Sequence, residues 1–510
     1  MDELAEARVE LDRLESKRQE VFSQLLDIHT ATEAQRTKID ELIRKRSPPI
    51  NRIPSELLVR ILNLASVGAA SNQDYFGYRS QKRNLISVCR RWKDVILGSP
   101  SMWTQVLVCP AADLSSLRSQ LRRTSEMELD IIIGTWQSHN DLHDLWTQLN
   151  VIIPFANRWR SLIINRCSTP FSTLVFDTIK HIQFPSLNRV CIPDLTPWAV
   201  GYPAFLLPEN APALQHAELG EFVVQNDFSI ATTLQTLELR FKESIAAHAS
   251  SPLFLPTQSL TMLSLTGNTN LWLLLPNSIH IPFLRTLVLD ISEPVQFMDA
   301  IEVPKLEHFY YSSKHVQTSV FFNKLRGKNS KFSSVRHLSL TLSSSTADIF
   351  HAMAFCPIFP GARHVELQAD SITAIFLPHS SSRWQSLVDE WDDLERLTIH
   401  GISPKLLRLR GPNGLDPLVH WLRARQEQER KRLFVKLMEI KQLDVDLELR
   451  FSGLYDALQE YCVLELEGVP LTTHMTLSMT PGSPLWLKLP YLTSGLKGDI
   501  KCAFLAGDAI

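Results

Sequence analysis

The sequence predicts a mostly α-helical N-terminal part followed by an α/β solenoid assembled from short repeated units. Apolar residues recur every seven positions through the first 46 residues, and two apolar helical stripes follow between residues 53 and 96. A leucine-spaced segment then recurs ten times between residues 159 and 402. A chain of 510 residues is too long for one ordinary globular domain, which agrees with an elongated, repetitive architecture.

Composition and charge restrict the class of protein. Hydrophobic residues make up 44% of the chain and charged residues 21%, as is typical of folded soluble proteins. The net charge of −2 disfavours a general nucleic-acid binder, whose domain is normally clearly basic. The seven cysteines form no CxxC pair, which favours reduced thiols in the cytoplasm or nucleus. The N-terminus is too charged for a secretory signal, and no apolar run approaches the ~20 residues that span a bilayer, so we expect no membrane contact.

Residues 1–46 carry the pattern of a coiled-coil helix. Two sets of positions repeat every seven residues, and nine of these twelve positions are apolar. The sets are Leu4, Leu11, Arg18, Leu25, Thr32, Ile39 and Ala7, Leu14, Val21, Ile28, Gln35, Leu42. The prolines of "SPP" at 47–49 end the helix. We expect self-association or coiling with a partner through this segment; the alternative is one amphipathic helix lying on its own protein.

The stretch "NRIPSELLVRILNLAS" at 51–66 predicts a helix with one wide apolar face. Pro54 suits the first turn of a helix, and Glu56 in that turn favours the helix dipole. The apolar face consists of Leu57, Leu58, Ile61, Leu62 and Ala65. A second helix is predicted over 84–96, with a stripe formed by Leu85, Val88, Cys89, Trp92 and Ile96. The sequence between them, 63–83, is rich in Gly, Ser and Asn and predicts a loop, and a short β-like run follows at 103–109.

Together these two stretches resemble an F-box. That family's pattern reads, roughly, L/I-P-x-E-[ILV]-[ILV]-x-x-I-[LF], then L-x-x-V-C/S-R/K-x-W, then a proline and often Leu-Trp. Matching positions are occupied by Ile53, Pro54, Glu56, Leu57, Leu58, Ile61, Leu62, Leu85, Val88, Cys89, Arg90, Trp92, Pro100 and Trp103. About twenty residues separate the two halves, more than in a compact F-box.

The resemblance covers residues 50–105 and implies a partner. F-box domains dock on the Skp-type adaptor of a cullin–RING ubiquitin ligase through such apolar helical faces. The residues expected to bind the adaptor are Ile53, Pro54, Leu57, Leu58, Ile61, Leu62, Leu85, Val88, Cys89 and Trp92. Ordinary core packing is the alternative, but three small helices cannot bury this many apolar side chains internally, so the surplus favours an interface.

A basic run accompanies the two helices, namely Arg79, Lys82, Arg83, Arg90, Arg91 and Lys93. Nucleic-acid binding would be one interpretation of such a run. We favour a solvated or adaptor-complementary face, because charges at the rim of an interface mainly set association rate and specificity.

Residues 125–415 contain a repeat with the template L-x-x-L-x-L-x-x-N/C. Its units begin 20 to 32 residues apart, at Trp159, Leu187, Leu214, Leu234, Leu260, Leu284, Leu306, Val335, Ala362 and Leu394. The spacing resembles that of leucine-rich repeats, although most units lack the Asn and several lack a leucine. The resemblance implies an irregular α/β leucine-rich-repeat-like solenoid, in which short parallel strands share one core. The alternative is a set of unrelated strands from an α/β domain.

Two further features concern the turns and the C-terminal part. Segments such as "FPSL", "IPFL" and "FPGA" predict turns that enter the next strand. A charged, amphipathic helix is predicted over 416–441 and another over 454–462, so we expect 416–510 to form a helical or capping C-terminal region.

The sequence contains no motif for catalysis or cofactor binding. Neither G-x-x-x-x-G-K-[ST], nor G-x-G-x-x-G, nor G-x-S-x-G occurs. His139 and His143 are four residues apart and beside Asp144, but without an HExxH pattern or a third ligand they favour surface histidines over a metal site. We therefore expect a non-catalytic protein without metal or cofactor.

Two functional interpretations follow. The first is the substrate-recognition subunit of an SCF-type (Skp–cullin–F-box) E3 ubiquitin ligase, which binds an unknown target protein on a concave face of the repeats and acts by proximity. Strand positions such as Glu238, Ser264, Val288 and Ser339 would line the target site. The alternative is a non-catalytic, adaptor-binding scaffold assembled by its coiled coil, without ligase function.

Overall fold

A computed structural model of the chain describes residues 2–46, 50, 53–67, 75–136, 141–165, 167–193, 204–220, 233–241, 255–267, 274–292, 294–312, 330–341, 358–368, 376, 388, 391–402, 416–438 and 454–467. A helical N-terminal region comes first along the chain. It is followed by a parallel sheet of 14 strands with accompanying helices, consistent with an α/β solenoid-like architecture.

Among the described residues, four α-helices precede the sheet: α1 (Asp2–Arg46), α2 (Ser55–Val67), α3 (Tyr75–Val88) and α4 (Arg90–Gly98). The helix predicted for the N-terminal segment is confirmed by α1, while the prolines that were expected to end it lie outside the described residues. The loop predicted over 63–83 is wrong at both of its ends. Helix α2 continues to Val67 and α3 already begins at Tyr75, so helix takes up most of this stretch.

The single helix predicted over 84–96 is in fact two helices. Cys89 separates α3 from α4 and has an extended backbone, with φ −161° and ψ 166°. Its sulfur accepts a hydrogen bond from the backbone N–H of Trp92 at 3.5 Å and thereby caps the first turn of α4. One extended residue leaves little trace in an apolar pattern spread over thirteen positions, which is why the sequence did not reveal the break.

The helices α2, α3 and α4 form a helical unit together with the 3₁₀ turn Pro100–Trp103. Its small core contains four fully buried residues, Leu58, Leu62, Ile96 and Met102. Partly buried side chains pack around them, among them Ile53, Leu85, Trp92 and Trp103. The 3₁₀ turn leads directly into the first strand of the sheet, so the helical unit is joined to the sheet without a long linker.

The sheet strands follow one another in chain order, each parallel to the next. They are β1 (Gln105–Val108), β2 (Leu129–Ile133), β3 (Trp159–Ile164), β4 (Arg189–Ile192), β5 (His216–Gly220), β6 (Thr236–Phe241), β7 (Met262–Gly267), β9 (Thr286–Ile291), β11 (His308–Ser312), β12 (His337–Thr341), β13 (His364–Gln368), β14 (Arg396–His400), β15 (Leu433–Met438) and β16 (Cys462–Glu467). A separate two-stranded sheet pairs β8 (Ile279–His280) with β10 (Ile301–Glu302). Within the described strands β1 and β16 are the two edges, so the sheet is not a closed barrel.

The predicted repeat register is confirmed in every one of its ten units. Strand β3 begins at Trp159 itself, and each later strand of the predicted set begins two residues after the first apolar residue of its unit. For example, β7 follows Leu260 and β12 follows Val335 at this spacing. The sheet also extends beyond the expected limits of 125 and 415, since it starts at Gln105 and ends at Glu467.

Alternation along each strand builds the core of the sheet. Side chains alternate between the two faces of the sheet, and those that point inward form two apolar rows across the strands. Both rows are buried. The first row includes Val106, Ile131, Leu162, Val190, Leu237, Leu263, Leu287, Phe309, Leu338, Val365, Leu397 and Val435. No single unit could bury such a row, so neighbouring units stabilise one another.

Each of the predicted turn segments closes with a backbone hydrogen bond immediately before a strand. The N–H of Leu187 donates to the carbonyl of Phe184 at 3.2 Å, that of Leu284 to Ile281 at 3.3 Å, and that of Ala362 to Phe359 at 3.2 Å. Proline occupies the second position of all three turns, where its fixed φ suits a β-turn. The same bond also precedes the strands after Leu214, Leu306, Val335 and Leu394.

Helices cover the buried face near the start of the sheet. Helix α5 (Leu114–Arg123) connects β1 to β2, α6 (Leu142–Ile152) connects β2 to β3, and α7 (Thr169–Ile179) connects β3 to β4. A short helix, α8 (Pro294–Ala300), follows β9. The buried apolar residues of these helices belong to the same continuous core as the inner rows of the sheet.

The helix predicted over 416–441 is wrong in its second half. Helix α9 (Asp416–Glu427) accounts for the first half, Glu429 then has a positive φ of 58°, and residues 433–438 form β15. Leu433, Val435 and Leu437 alternate inward in β15, and pairing with β14 outweighs the local helical preference of this charged segment. A second helix, α10 (454–461), precedes β16 and agrees with the helix predicted at 454–462.

Candidate functional site

Helix α2 divides its apolar residues between two stripes about 100° apart. Leu58 and Leu62 are buried in the core of the helical unit. Leu57, Ile61 and Leu64, spaced i, i+4, i+7, are 53%, 44% and 69% exposed. We call these three residues the α2 stripe. A folded helix that leaves three large aliphatic side chains exposed on one face has the character of a partner surface.

The remaining residues predicted to bind the adaptor differ in their exposure. Val88 at the end of α3 is exposed, and so is Pro54 at the start of α2. Ile53, Leu85, Cys89 and Trp92 are half-buried. Leu58 and Leu62 support the helices from inside and offer almost no side-chain surface, so their role is structural, and binding by the exposed and half-buried residues stays a prediction.

Polar contacts hold the helical unit in shape. The buried Lys82 ammonium on α3 donates a hydrogen bond to the carbonyl of Met102 at 2.6 Å, and the Trp103 indole N–H donates to the carbonyl of Ile96 at 2.9 Å. The Arg91 guanidinium donates to the carbonyl of Ile53. Burial lowers the pKa of Lys82 to about 8. Lys82 therefore has a structural role inside the helical unit. Arg83, Arg90 and Lys93 of the predicted basic run are exposed.

A cavity of about 350 Å³ lies where the helical unit meets the sheet. Its lining includes Lys82, Trp103, Gln120 and Arg123. The Lys82 Nζ and the Arg123 Cζ lie 5.2 and 4.7 Å from the centre of the Trp103 ring, and Gln120 donates to the carbonyl of Trp103 at 2.9 Å. These contacts connect α3, the 3₁₀ turn and α5, so they orient the helical unit relative to β1.

The outer face of the sheet, opposite the core, carries the residues predicted to meet a target. Glu238, Ser264 and Val288 lie side by side on β6, β7 and β9, and Tyr310 on β11 separates them from Ser339 on β12. All are at least partly accessible except Ser264, which is buried. The structure brings these positions into one continuous row, and their contact with a target stays a prediction.

On β4 and β5, the strands before β6, the same row continues with Cys191 and Glu218. Glu218 on β5 accepts a hydrogen bond from the Cys191 thiol at 3.1 Å and pairs with the Arg240 guanidinium at 2.5 Å. Burial and the neighbouring carboxylate raise the pKa of the Cys191 thiol far above its usual range. The thiol is therefore protonated at neutral pH and unsuited to nucleophilic chemistry.

Three histidines form a ladder on the outer face, one row away from the predicted target positions. His308, His337 and His364 face one another on β11, β12 and β13. Successive ring centres are 4.4 Å apart, and the Nδ1 atoms of His337 and His364 are 3.2 Å apart. We call these residues the histidine ladder. The row continues with Arg396, whose guanidinium lies 4.7 Å from the Phe434 ring centre.

Two of the three imidazoles of the ladder, those of His308 and His364, are held toward their neutral form. Burial lowers the pKa of both His308 and His364 below the usual value, and the nearby His337 lowers each further. A neutral imidazole has one donor and one acceptor nitrogen, so the rings of His308 and His364 offer both kinds of hydrogen-bonding group. The exposed Tyr310 of the adjacent row extends this surface.

The ladder was missed from the sequence although a signal was present. The units "LEHFYY", "VRHLSL" and "ARHVEL" all place histidine two residues after their first apolar residue. That position is the first outward-facing residue of the strand, so reading the units in register would have aligned the three rings.

The two histidines that we expected at the surface are described only in part. His139 lies outside the described residues, and His143 is exposed with its ring 6.0 Å from that of Trp146. In the described part of the chain no group of three or more His, Cys, Asp or Glu residues has an arrangement that could hold a metal ion.

Comparisons with known proteins add no relative. Neither a scan against protein-family models nor a search of curated proteins gives a match to this chain. Of the helices among the described residues, none combines the length and apolar character needed to cross a membrane.

Proposed function

We propose that this protein is the substrate-recognition subunit of an SCF-type E3 ubiquitin ligase, with residues 50–105 acting as an F-box. The α2 stripe carries the proposal, because it exposes aliphatic side chains within the very stretch whose sequence resembles an F-box. Val88 and the half-buried Trp92 add apolar surface from the other half of the resemblance. A Skp-type adaptor would bind there and bring a cullin with it.

The sheet supplies the second half of the proposal. We interpret its units as irregular leucine-rich repeats whose outer face binds a target protein. The histidine ladder and Tyr310 are the strongest candidate contacts, since aromatic side chains contribute large contact area at a low cost in conformational entropy. The neighbouring Glu366 lies 4.0 Å from His400 and gives the same region a polar border.

The protein would act without chemistry of its own. A receptor raises the local concentration of target lysines beside a ubiquitin-loaded enzyme, and this proximity accounts for its contribution to the rate. Neither metal nor cofactor is needed for that role. Adaptor, cullin and ubiquitin enzymes act in the cytoplasm and nucleus, where we expect this protein to work.

The deciding experiment is affinity capture of the full chain with proteasome activity blocked. We expect the adaptor and the cullin to be recovered together, along with ubiquitin-modified target proteins. Recovery of the adaptor without any cullin would instead support the scaffold function. Recovery of neither would contradict both proposals.

The outer face is tested separately by replacing aromatic residues of the candidate target site. His337→Ala combined with Tyr310→Ala should reduce target capture at least tenfold, because each substitution removes a central aromatic contact. Adaptor capture should not change, since both residues lie on the sheet. The matched control is Phe283→Ala, which removes an exposed aromatic ring from a turn outside the two rows. Equal loss of target in the control, or no loss in the double variant, would contradict the assignment.

A further inference from the structure

Helix α1 presents its whole apolar seam to solvent. Every side chain that the structure describes on this helix is exposed, and the large apolar heptad residues from Leu4 to Leu42 are 47–67% exposed. The seam is the set of twelve heptad positions named above. A helix of this length with such a seam is seldom stable alone in water, since most helical stability comes from packing an apolar face.

We infer that α1 pairs with α1 of a second copy in antiparallel orientation. The first supporting observation is charge. By sequence, residues 2–15 contain six acidic and two basic residues, whereas residues 33–46 contain five basic and three acidic residues. An antiparallel pair sets each acidic end beside the basic end of the other copy, and a parallel pair in register sets like beside like.

The seam itself gives a second and independent reason. In the antiparallel pair that aligns the two seams, which is two residues short of full overlap, each seam layer joins position i of one copy with position 46 − i of the other. The layers are Leu4 with Leu42, Ala7 with Ile39, Leu11 with Gln35, Leu14 with Thr32, Arg18 with Ile28, and Val21 with Leu25. Each layer thus contains at least one apolar residue.

In a parallel pair in register, each seam residue would instead face the same residue of the other copy. Arg18 would face Arg18 in the seam, and the Thr32 and Gln35 layers would each contain two polar residues. Two guanidinium groups in one seam layer repel one another, and taking them out of water adds a further cost. The polar positions therefore select the antiparallel arrangement in the way that polar seam residues select orientation in coiled coils.

The pairing has a consequence for the rest of the molecule. In an antiparallel pair the two C-terminal ends of α1 lie at opposite ends of the pair, about 66 Å apart for a helix of this length. The two helical units then follow from opposite ends. The inference rests on α1 alone and does not depend on the proposed ligase function.

The test uses disulfide trapping in the full chain. The variant Leu4→Cys with Leu42→Cys places both cysteines in one seam layer of the antiparallel pair. After oxidation, peptide mapping by mass spectrometry should detect a 4–42 disulfide in a species of twice 58.0 kDa. These positions are about 57 Å apart within one helix, so a 4–42 bond can form only between copies. Peptide masses distinguish it from bonds made by the seven native cysteines.

The control pair Glu6→Cys with Glu41→Cys lies off the seam and should give no 6–41 disulfide. Exclusive 4–4 and 42–42 bonds would show a parallel pair and overturn the inference. A monomeric mass for the unmodified chain by light scattering at about 50 μM would overturn it as well, since paired seams of this length associate below that concentration.

Discussion

Replacing Leu57 and Ile61 by glutamate is expected to abolish adaptor capture while leaving the protein folded. Both side chains are exposed, so their replacement changes the free energy of unfolding by only about 0.5 kcal/mol. In a complex, however, each would leave a carboxylate against an apolar surface. Losing two anchors of an interface, at about 2 kcal/mol or more each, corresponds to a loss of affinity on the order of 1,000-fold. Binding to a purified Skp-type adaptor by titration calorimetry measures this directly, with circular dichroism to verify the fold.

Two controls separate binding from folding. Leu275→Glu introduces the same change at another exposed leucine, far along the chain from the helical unit, and should bind the adaptor normally. Leu58→Ala removes a fully buried side chain and should lower the free energy of unfolding by about 2–5 kcal/mol. Undiminished adaptor binding by the Leu57, Ile61 variant would refute the α2 stripe as the docking surface.

Replacing Gly267 by alanine is expected to be the most destabilising small substitution in the sheet. Gly267 ends β7 with a φ of 109°, a backbone conformation that side chains rarely adopt. A Cβ at this position would overlap the carbonyl of Phe241, its partner on β6. Backbone strain of about 1–3 kcal/mol then adds to the cost of moving the adjacent strand. We expect a total loss of at least about 3 kcal/mol, measured as a shift of the denaturant midpoint.

Gly98→Ala is the matched control for this substitution. Gly98 ends α4, and no atom lies within 4 Å of the place that its Cβ would take. Alanine favours a helix over glycine by up to about 1 kcal/mol, so this variant should be as stable as the parent chain or slightly more stable. If Gly267→Ala and Gly98→Ala unfold at the same denaturant concentration, the strand packing described for β6 and β7 is wrong.

The ten repeat strands could be predicted because their information is local. In each unit a turn, often with proline in second place, is followed by alternating apolar residues, and both features lie within about ten residues. Strand β15 lacks that turn signal and follows a charged helix in an unbroken run of good helix formers. Residues 433–438 form a strand because they pair with β14. A local sequence pattern cannot predict pairing with a strand that is distant in sequence.

The candidate sites show the same division. The order of residues along the chain determined by itself that α1 is a long helix with a heptad seam, that helices with apolar stripes follow between residues 53 and 96, and that ten strands share one register. Only the tertiary structure decided that Leu58 points inward while Leu57 points outward, that Cys89 breaks a helix, and that the rings of three histidines from separate units lie against one another. Periodicity states which residues share a face, but which of two adjacent stripes is buried depends on the helices that pack against it.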